Sequence, residues 1–298
     1  MRLRSLLFAP AVRPDLLAKL PRAGSDGVVI DCEDATPPAS KDEGRENARR
    51  IGAELADGGA AVFVRVNAVG TPWFEADIAG GIPDGARGVV VPMVESSSQL
   101  DRVVDALGEE DRQGLVVVAG LETAAGVAFA RELLGHPIVS AGYFGAEDFI
   151  ADMGGVRTES NIEVLHARSE VALAGRLARV PVLDQVVIAF GDSERFAREA
   201  AEARSLGFSG KLCIHPSQVQ LAHIAFTPSA GEVAAAVELI EAFEEAQRTG
   251  SGVIVVDGRM IDGPLVAQAR RVVAASQSPQ ERSDVGGTGR ALPGQGGG

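Results

Sequence analysis

Two acidic residues stand at the ends of short apolar runs. Val-Val-Val-Ala-Gly-Leu-Glu closes on Glu122, and Ile-Val-Ser-Ala-Gly-Tyr-Phe-Gly-Ala-Glu-Asp closes on Asp148. Two carboxylates held on rigid strand ends suit a hard divalent cation, Mg²⁺ with several waters retained, or Mn²⁺. Taken singly, each has a simpler reading: Glu122 caps the helix that follows it, and Asp148 opens the next one. As a pair at this spacing they favour the metal.

Arg65 and Asn67 come near the end of another apolar run, 61–66. A guanidinium there suits a planar carboxylate or ketoacid, which it grips through two hydrogen bonds. Its structural alternative is a salt bridge to Glu33 or Asp34, part of the acidic cluster Asp31-Cys32-Glu33-Asp34. Both roles can hold at once, and Glu33 and Asp34 are read as support for the metal or the arginine. The Gly-started turn at 145–148 offers the backbone N–H groups of Ala146 and Glu147 to an oxyanion. None of the four histidines, His136, His166, His215 and His223, forms a His-x-x-x-His pair or partners an obvious nucleophile. His215 is read as shaping its own turn.

These residues need a scaffold. Between the two acidic strand ends, residues 124–134 are alanine-rich and long enough for a helix of about three turns. Strand, helix, strand is the right-handed parallel crossover, which puts Glu122 and Asp148 at the same, carboxyl end of a sheet. With these two strands at 115–120 and 137–142, further strands are expected at 4–9, 27–31, 61–66, 88–93, 184–190 and 211–214, with helices at 41–55, 97–107, 162–177 and 194–206. Eight strand runs of this kind predict a (β/α)8 TIM barrel over residues 1–226. A doubly wound open sheet is disfavoured, because no Gly-x-Gly-x-x-Gly follows the first strand. Helical patterns at 229–248 and 264–275 make residues 227–275 a C-terminal helical extension, expected to pack on the barrel or on a neighbouring subunit. The Ser-, Gln-, Pro- and Gly-rich residues 276–298 read as a disordered tail.

The chain has 298 residues, 46% of them hydrophobic, and a formal charge of −13. That charge argues against nucleic acid and anionic membranes as partners. No apolar run approaches membrane-spanning length and the start lacks a signal-peptide core, so a cytoplasmic protein is expected. Cys32 and Cys213 are isolated, which indicates neither a disulfide framework nor zinc.

Several linked segments carry a resemblance. Leu-Glu-Thr-Ala-Ala-Gly-Val (121–127), Gly-Ala-Glu-Asp-Phe (145–149), Cys-Ile-His-Pro-Ser-Gln-Val (213–219) and Asp-Gly-Arg-Met-Ile-Asp-Gly-Pro (257–264) resemble the citrate lyase beta-subunit-like family. So do Val-Ile-Asp-Cys-Glu-Asp (29–34) and Val-Arg-Val-Asn-Ala-Val-Gly-Thr-Pro-Trp (64–73). That family lies within the HpcH/HpaI aldolase superfamily and includes malyl-CoA and citramalyl-CoA lyases. The resemblance implies a homotrimeric barrel that binds Mg²⁺ and makes or breaks a carbon–carbon bond beside a CoA thioester. By position it makes Glu122 and Asp148 the metal ligands and Arg65 the ketoacid grip. Asp262 becomes the acid/base that reaches a neighbouring subunit's site; the residues alone would make it a turn residue before Gly-Pro. Phe8, Arg13, Lys19 and Pro216 fall where family members contact CoA, although Pro-Ala-Val-Arg-Pro departs from the usual first loop.

The expected function is a Mg²⁺-dependent lyase or synthase acting on a malyl-CoA-like thioester. Its rivals are a malyl-CoA thioesterase, a carrier-dependent citrate lyase beta subunit working with partner subunits, and a CoA-independent hydroxy-ketoacid aldolase. The last relies on a histidine base early in the barrel, and this chain has no histidine before His136.

Overall fold

The structure, a computed structural model, describes residues 2–108, 114–248, 252–256 and 258–276. The expected disordered tail lies outside them, apart from Ser276. Eight strands, all parallel to their neighbours, close in sequence order into a barrel. They are β1 (Ser5–Pro10), β2 (Gly27–Asp31), β3 (Val62–Arg65), β4 (Gly88–Val91), β5 (Val116–Leu121), β6 (Val139–Phe144), β7 (Val182–Asp184) and β8 (Gly210–Cys213). The predicted TIM barrel is therefore present, with helices between the strands and further helices at Ala230–Arg248 and Gly263–Ser276.

The two-residue period of the strands sorts their side chains into two apolar layers. Leu6, Val29, Phe63, Val90, Val116, Val118, Ala141, Tyr143, Leu183 and Leu212 meet inside the barrel. Their neighbours, such as Leu7, Ile30, Val64, Val91 and Ala119, pack outward on the helices. Continuing the alternation along the inner face places Asp31, Arg65 and Glu122 above this plug, at the carboxyl end. Cys32 and Cys213 are buried free thiols, and burial raises the pKa of both.

Three elements differ from the sequence expectation. The seventh strand ends at Asp184 instead of beginning there. Asp184 is wholly buried, held by Arg168 at 2.9 Å and Lys211 at 2.7 Å, so the sheet is locked before the longer apolar run 186–190 begins. Ile188 and Phe190 of that run are 59% and 55% exposed. Residues 124–134 form two short helices, Ala124–Ala128 and Ala130–Leu134, broken at the half-exposed Phe129. The helix expected at 162–177 opens with a 3-10 turn, Ile162–Val164, before Leu165–Ala178. Helices Phe74–Gly80, Ala146–Met153 and Pro216–Phe226 had no boundaries assigned from sequence.

The barrel unit ends at Phe226, and a second compact unit starts at Thr227. In the second unit, β9 (Ile254–Val256) and β10 (Arg259–Ile261) pair as an antiparallel hairpin. The hairpin and the two long helices share a small core of Phe243, Ile261 and Val266. Asp262 follows β10 and is partly buried, its carbonyl accepting the Val266 N–H at the start of Gly263–Ser276.

Candidate active site

A cavity of about 500 Å³ opens at the carboxyl end of the barrel. Phe8 of β1, Leu212 of β8, and Val186 and Ile214 just past β7 and β8 give it an apolar side. Five carboxylates line it, Asp31, Asp34, Glu122, Glu147 and Asp148, against one lining guanidinium, Arg65.

Arg65 is fixed from three directions. Asp31 accepts from its Nε at 2.8 Å and its Nη2 at 2.6 Å, a bidentate clamp, and Glu33 lies 3.0 Å from Nη1. The Phe8 ring covers it, 5.4 Å from ring centre to guanidinium carbon. Burial works against its charge, but Asp31 and Glu33 more than offset that and hold its pKa well above the usual arginine value. The structural partners of Arg65 are thus Asp31 and Glu33, not Asp34. With three of its nitrogens engaged and five N–H donors to offer, it still has hydrogens for a ligand.

The loop that carries this clamp is itself pinned by a residue the sequence did not single out. Buried Lys41 donates to the Cys32 and Glu33 carbonyls, both at 2.8 Å, and to Asn67 Oδ1 at 2.6 Å, with its ammonium over the Trp73 ring. Asn67 in turn donates to the Cys32 carbonyl and to buried Asp77. Lys41→Met is expected to destabilise the fold by about 2–4 kcal/mol, because it takes the donor from buried Asn67 Oδ1 and one of two donors from each of the Cys32 and Glu33 carbonyls. Chemical denaturation checks this; a change within 0.5 kcal/mol, about the level of a surface substitution, would contradict it.

Glu122 does not cap its helix. Thr123 does, its Oγ1 accepting from the Gly126 N–H at 3.0 Å. The buried Glu122 side chain turns instead into the cavity, where the Met93 N–H donates to Oε2 at 3.0 Å. Met93 reaches that position with φ of 52°, a left-handed conformation uncommon for a side chain of its size. Gly145 keeps the space beside Glu122 open: a Cβ there would lie 2.5 Å from Oε1. Burial pushes the Glu122 pKa up to about 7; Arg65, the Met93 N–H and the nearby Tyr143 hydroxyl pull it down, and Asp148 pushes it further up. Asp148, in the first turn of Ala146–Met153, is also raised, by burial and by Asp34. Glu33 is pushed up to about 9 by burial, with Arg65 opposing and Glu122 and Asp34 adding.

The fit to a cation follows from these charges. Arg65 neutralises Asp31, and Arg157 pairs with Glu147 at 3.0 Å. Asp34, Glu122 and Asp148 face the cavity with no ion-pair partner among the described residues, and Glu122 and Asp148 are held above their ordinary pKa. Among the described residues no three His, Cys, Asp or Glu side chains converge as a closed metal cage. Two carboxylates with open positions for water and ligand are the donor set that Mg²⁺ takes beside a substrate.

Of the other predicted site residues, Phe8, Ala146 and Glu147 line the cavity. Arg13, Lys19 and Pro216 do not; they are exposed, and Arg13 pairs with Asp15. Arg13 and Lys19 follow β1 and Pro216 follows β8, so all three flank the seam where those strands meet. His215 bonds Ser217 Oγ at 2.8 Å and stacks on Phe190, consistent with a turn-shaping role.

A parallel barrel with a charged cavity at its carboxyl end defines the active-site architecture of an α/β-barrel enzyme. Residues 4–216 match the HpcH/HpaI aldolase/citrate lyase family, and the chain belongs to that family of lyases. A citrate lyase subunit beta-like protein of Deinococcus radiodurans is 46% identical over 278 residues, covering 91% of this chain and 96% of the relative. A (3S)-malyl-CoA thioesterase of Cereibacter sphaeroides is 31% identical, covering 92% and 95%. The mitochondrial citramalyl-CoA lyase of Rattus norvegicus is 31% identical, covering 94% and 87%. The crystal structure of CitE from Mycobacterium tuberculosis with magnesium, acetoacetate and coenzyme A superposes with a TM-score of 0.77 at 29% identity, covering 92% of this chain and 98% of that one.

Proposed function

We propose that the protein is a Mg²⁺-dependent carbon–carbon lyase or synthase that interconverts a malyl-CoA- or citramalyl-CoA-type thioester with acetyl-CoA and a 2-ketoacid. The observation that carries this reading is the uncompensated pair Glu122 and Asp148 beside the clamped Arg65. In this reading the pair holds Mg²⁺, which when bound supplies Lewis-acid polarisation and a template for the ketoacid. Arg65 stabilises the ketoacid's charge with the hydrogens Asp31 and Glu33 leave over. The N–H groups of Ala146 and Glu147 receive the thioester enolate oxygen. Asp262, supplied by a neighbouring subunit of a homotrimer, takes the acetyl-CoA methyl proton in synthesis and returns it in cleavage. Phe8, Arg13, Lys19 and Pro216 mark the approach of CoA along the β1–β8 seam. Acetyl-CoA and 2-ketoacids are soluble metabolites, in keeping with a cytoplasmic enzyme, and no helix among the described residues is long and apolar enough to cross a membrane.

Two of the rivals have support in named relatives: thioester hydrolysis in the Cereibacter sphaeroides thioesterases, and the carrier-dependent reaction in a Leuconostoc mesenteroides citrate lyase subunit beta. The CoA-independent aldolase is disfavoured, because no histidine lines the cavity among the described residues. Purified protein given (S)-citramalyl-CoA and malyl-CoA, with MgCl₂ or EDTA, separates these readings. Ketoacid release without free thiol, lost in EDTA, is the expected result. Thiol release without ketoacid would replace the lyase with the thioesterase, and turnover undiminished by EDTA would remove the metal from the reading.

A further inference from the structure

Tyr143 is the chain's single tyrosine and sits on the inner face of β6, 1% exposed. It lines the cavity, and its hydroxyl makes no hydrogen bond to any described residue. A buried hydroxyl without a partner costs stability, so for packing alone phenylalanine would serve better at this position.

The neighbouring strand makes room for the hydroxyl. A Cβ at Gly120 would lie 2.5 Å from the Tyr143 oxygen and 2.9 Å from Glu122 Oε2. Any larger residue at 120 would displace the phenol, so the glycine preserves the place where hydroxyl and carboxylate meet. Glu122 Oε2 already accepts the Met93 N–H; the phenol lies close enough to help lower the Glu122 pKa, yet short of full hydrogen-bond geometry. The cavity that Tyr143 lines is open to its hydrogen.

We propose that the Tyr143 hydroxyl is a substrate-binding donor, giving its hydrogen bond to an oxygen of the 2-ketoacid at the cavity floor. This rests on the lyase reading above. It adds a neutral donor on the β5–β6 side of the ligand, where Arg65 on β3 supplies only the charged one. The orphaned hydroxyl is satisfied when the ligand arrives, so the cost borne by the free protein is recovered as affinity.

The test is Tyr143→Phe, with pyruvate as probe and MgCl₂ present, read by calorimetric titration and thermal melting. The variant is expected to bind pyruvate about tenfold to a hundredfold more weakly, as for a lost hydrogen bond to a charged group. Mg²⁺ affinity should be unchanged, and the metal-free protein should melt at the same temperature or higher. Unchanged pyruvate affinity would overturn the proposal. A parallel loss of Mg²⁺ affinity would also overturn it, since the hydroxyl would then orient Glu122, and a lower melting temperature would make it a structural bond. Wild-type protein that binds neither pyruvate nor glyoxylate with Mg²⁺ would instead bring down the lyase reading, and this inference with it.

Discussion

Glu122→Gln is expected to cut Mg²⁺-dependent turnover by more than about a hundredfold while raising the melting temperature of the metal-free protein at pH 8. The two effects have one cause. In the unfolded chain Glu122 ionises near its ordinary 4.5; in the folded protein burial moves that to about 7. Between those values the folded state holds a proton that the unfolded state has lost, so stability falls as pH rises from about 4.5 to 7. Glu33, pushed up to about 9, extends the decline in the same direction. By pH 8 the ionised Glu122 costs on the order of 3 kcal/mol. Glutamine removes that cost and can still accept the Met93 N–H. The variant should therefore gain stability at pH 8 and little at pH 5. A divalent cation acts on the same charge, because it binds the ionised carboxylate and competes with its proton. MgCl₂ should raise the wild-type melting temperature more at pH 8 than at pH 6, and raise that of Glu122→Gln hardly at all. A variant that melts lower than wild type at pH 8, or keeps the full Mg²⁺ response, would show that Glu122 is a structural carboxylate.

The sequence made the barrel legible because buried parallel strands are short, apolar and punctuated, and seven of the eight runs fall on or within a residue or two of an observed strand. β7 failed for a physical reason. Its three residues are shorter than the apolar run that follows, and what ends it is the Arg168–Asp184–Lys211 cluster, whose partners lie far apart in sequence. The site divides in the same way. Glu122, Asp148 and Arg65 were visible because each is a charged residue at the end of an apolar run. Lys41 was not, since it sits at the start of a polar helix and its role depends on backbone carbonyls brought to it by folding. Tyr143 lay inside an apolar strand, where an aromatic reads as core. Only the missing partner for its hydroxyl distinguishes it, and that is a fact of three dimensions.

Arg65→Met is the second substitution with a large expected effect, and here stability and chemistry should fall together before they can be separated. The guanidinium is the sole ion-pair partner of Asp31 and Glu33 among the described residues, and Asp31 is 3% exposed. Removing one member of a buried pair leaves an uncompensated charge, at a cost of about 3–5 kcal/mol. Without the arginine, Glu122 loses the largest influence that lowers its pKa, so its pKa rises above about 7 and the loss should be larger at pH 8 than at pH 5. Arg65→Lys restores a charge but not the two-pronged contact with Asp31, and should recover only part of the stability. The decisive variant is the double Arg65→Met with Asp31→Asn. It removes the clamp and the charge it neutralised, so it should recover much of the lost stability, a coupling read by comparing the double with the two single variants. Turnover should not return with it, because the ketoacid would still lack its charged grip. If activity recovers alongside stability, Arg65 serves only to hold the barrel mouth together, and the ketoacid must be bound by other groups.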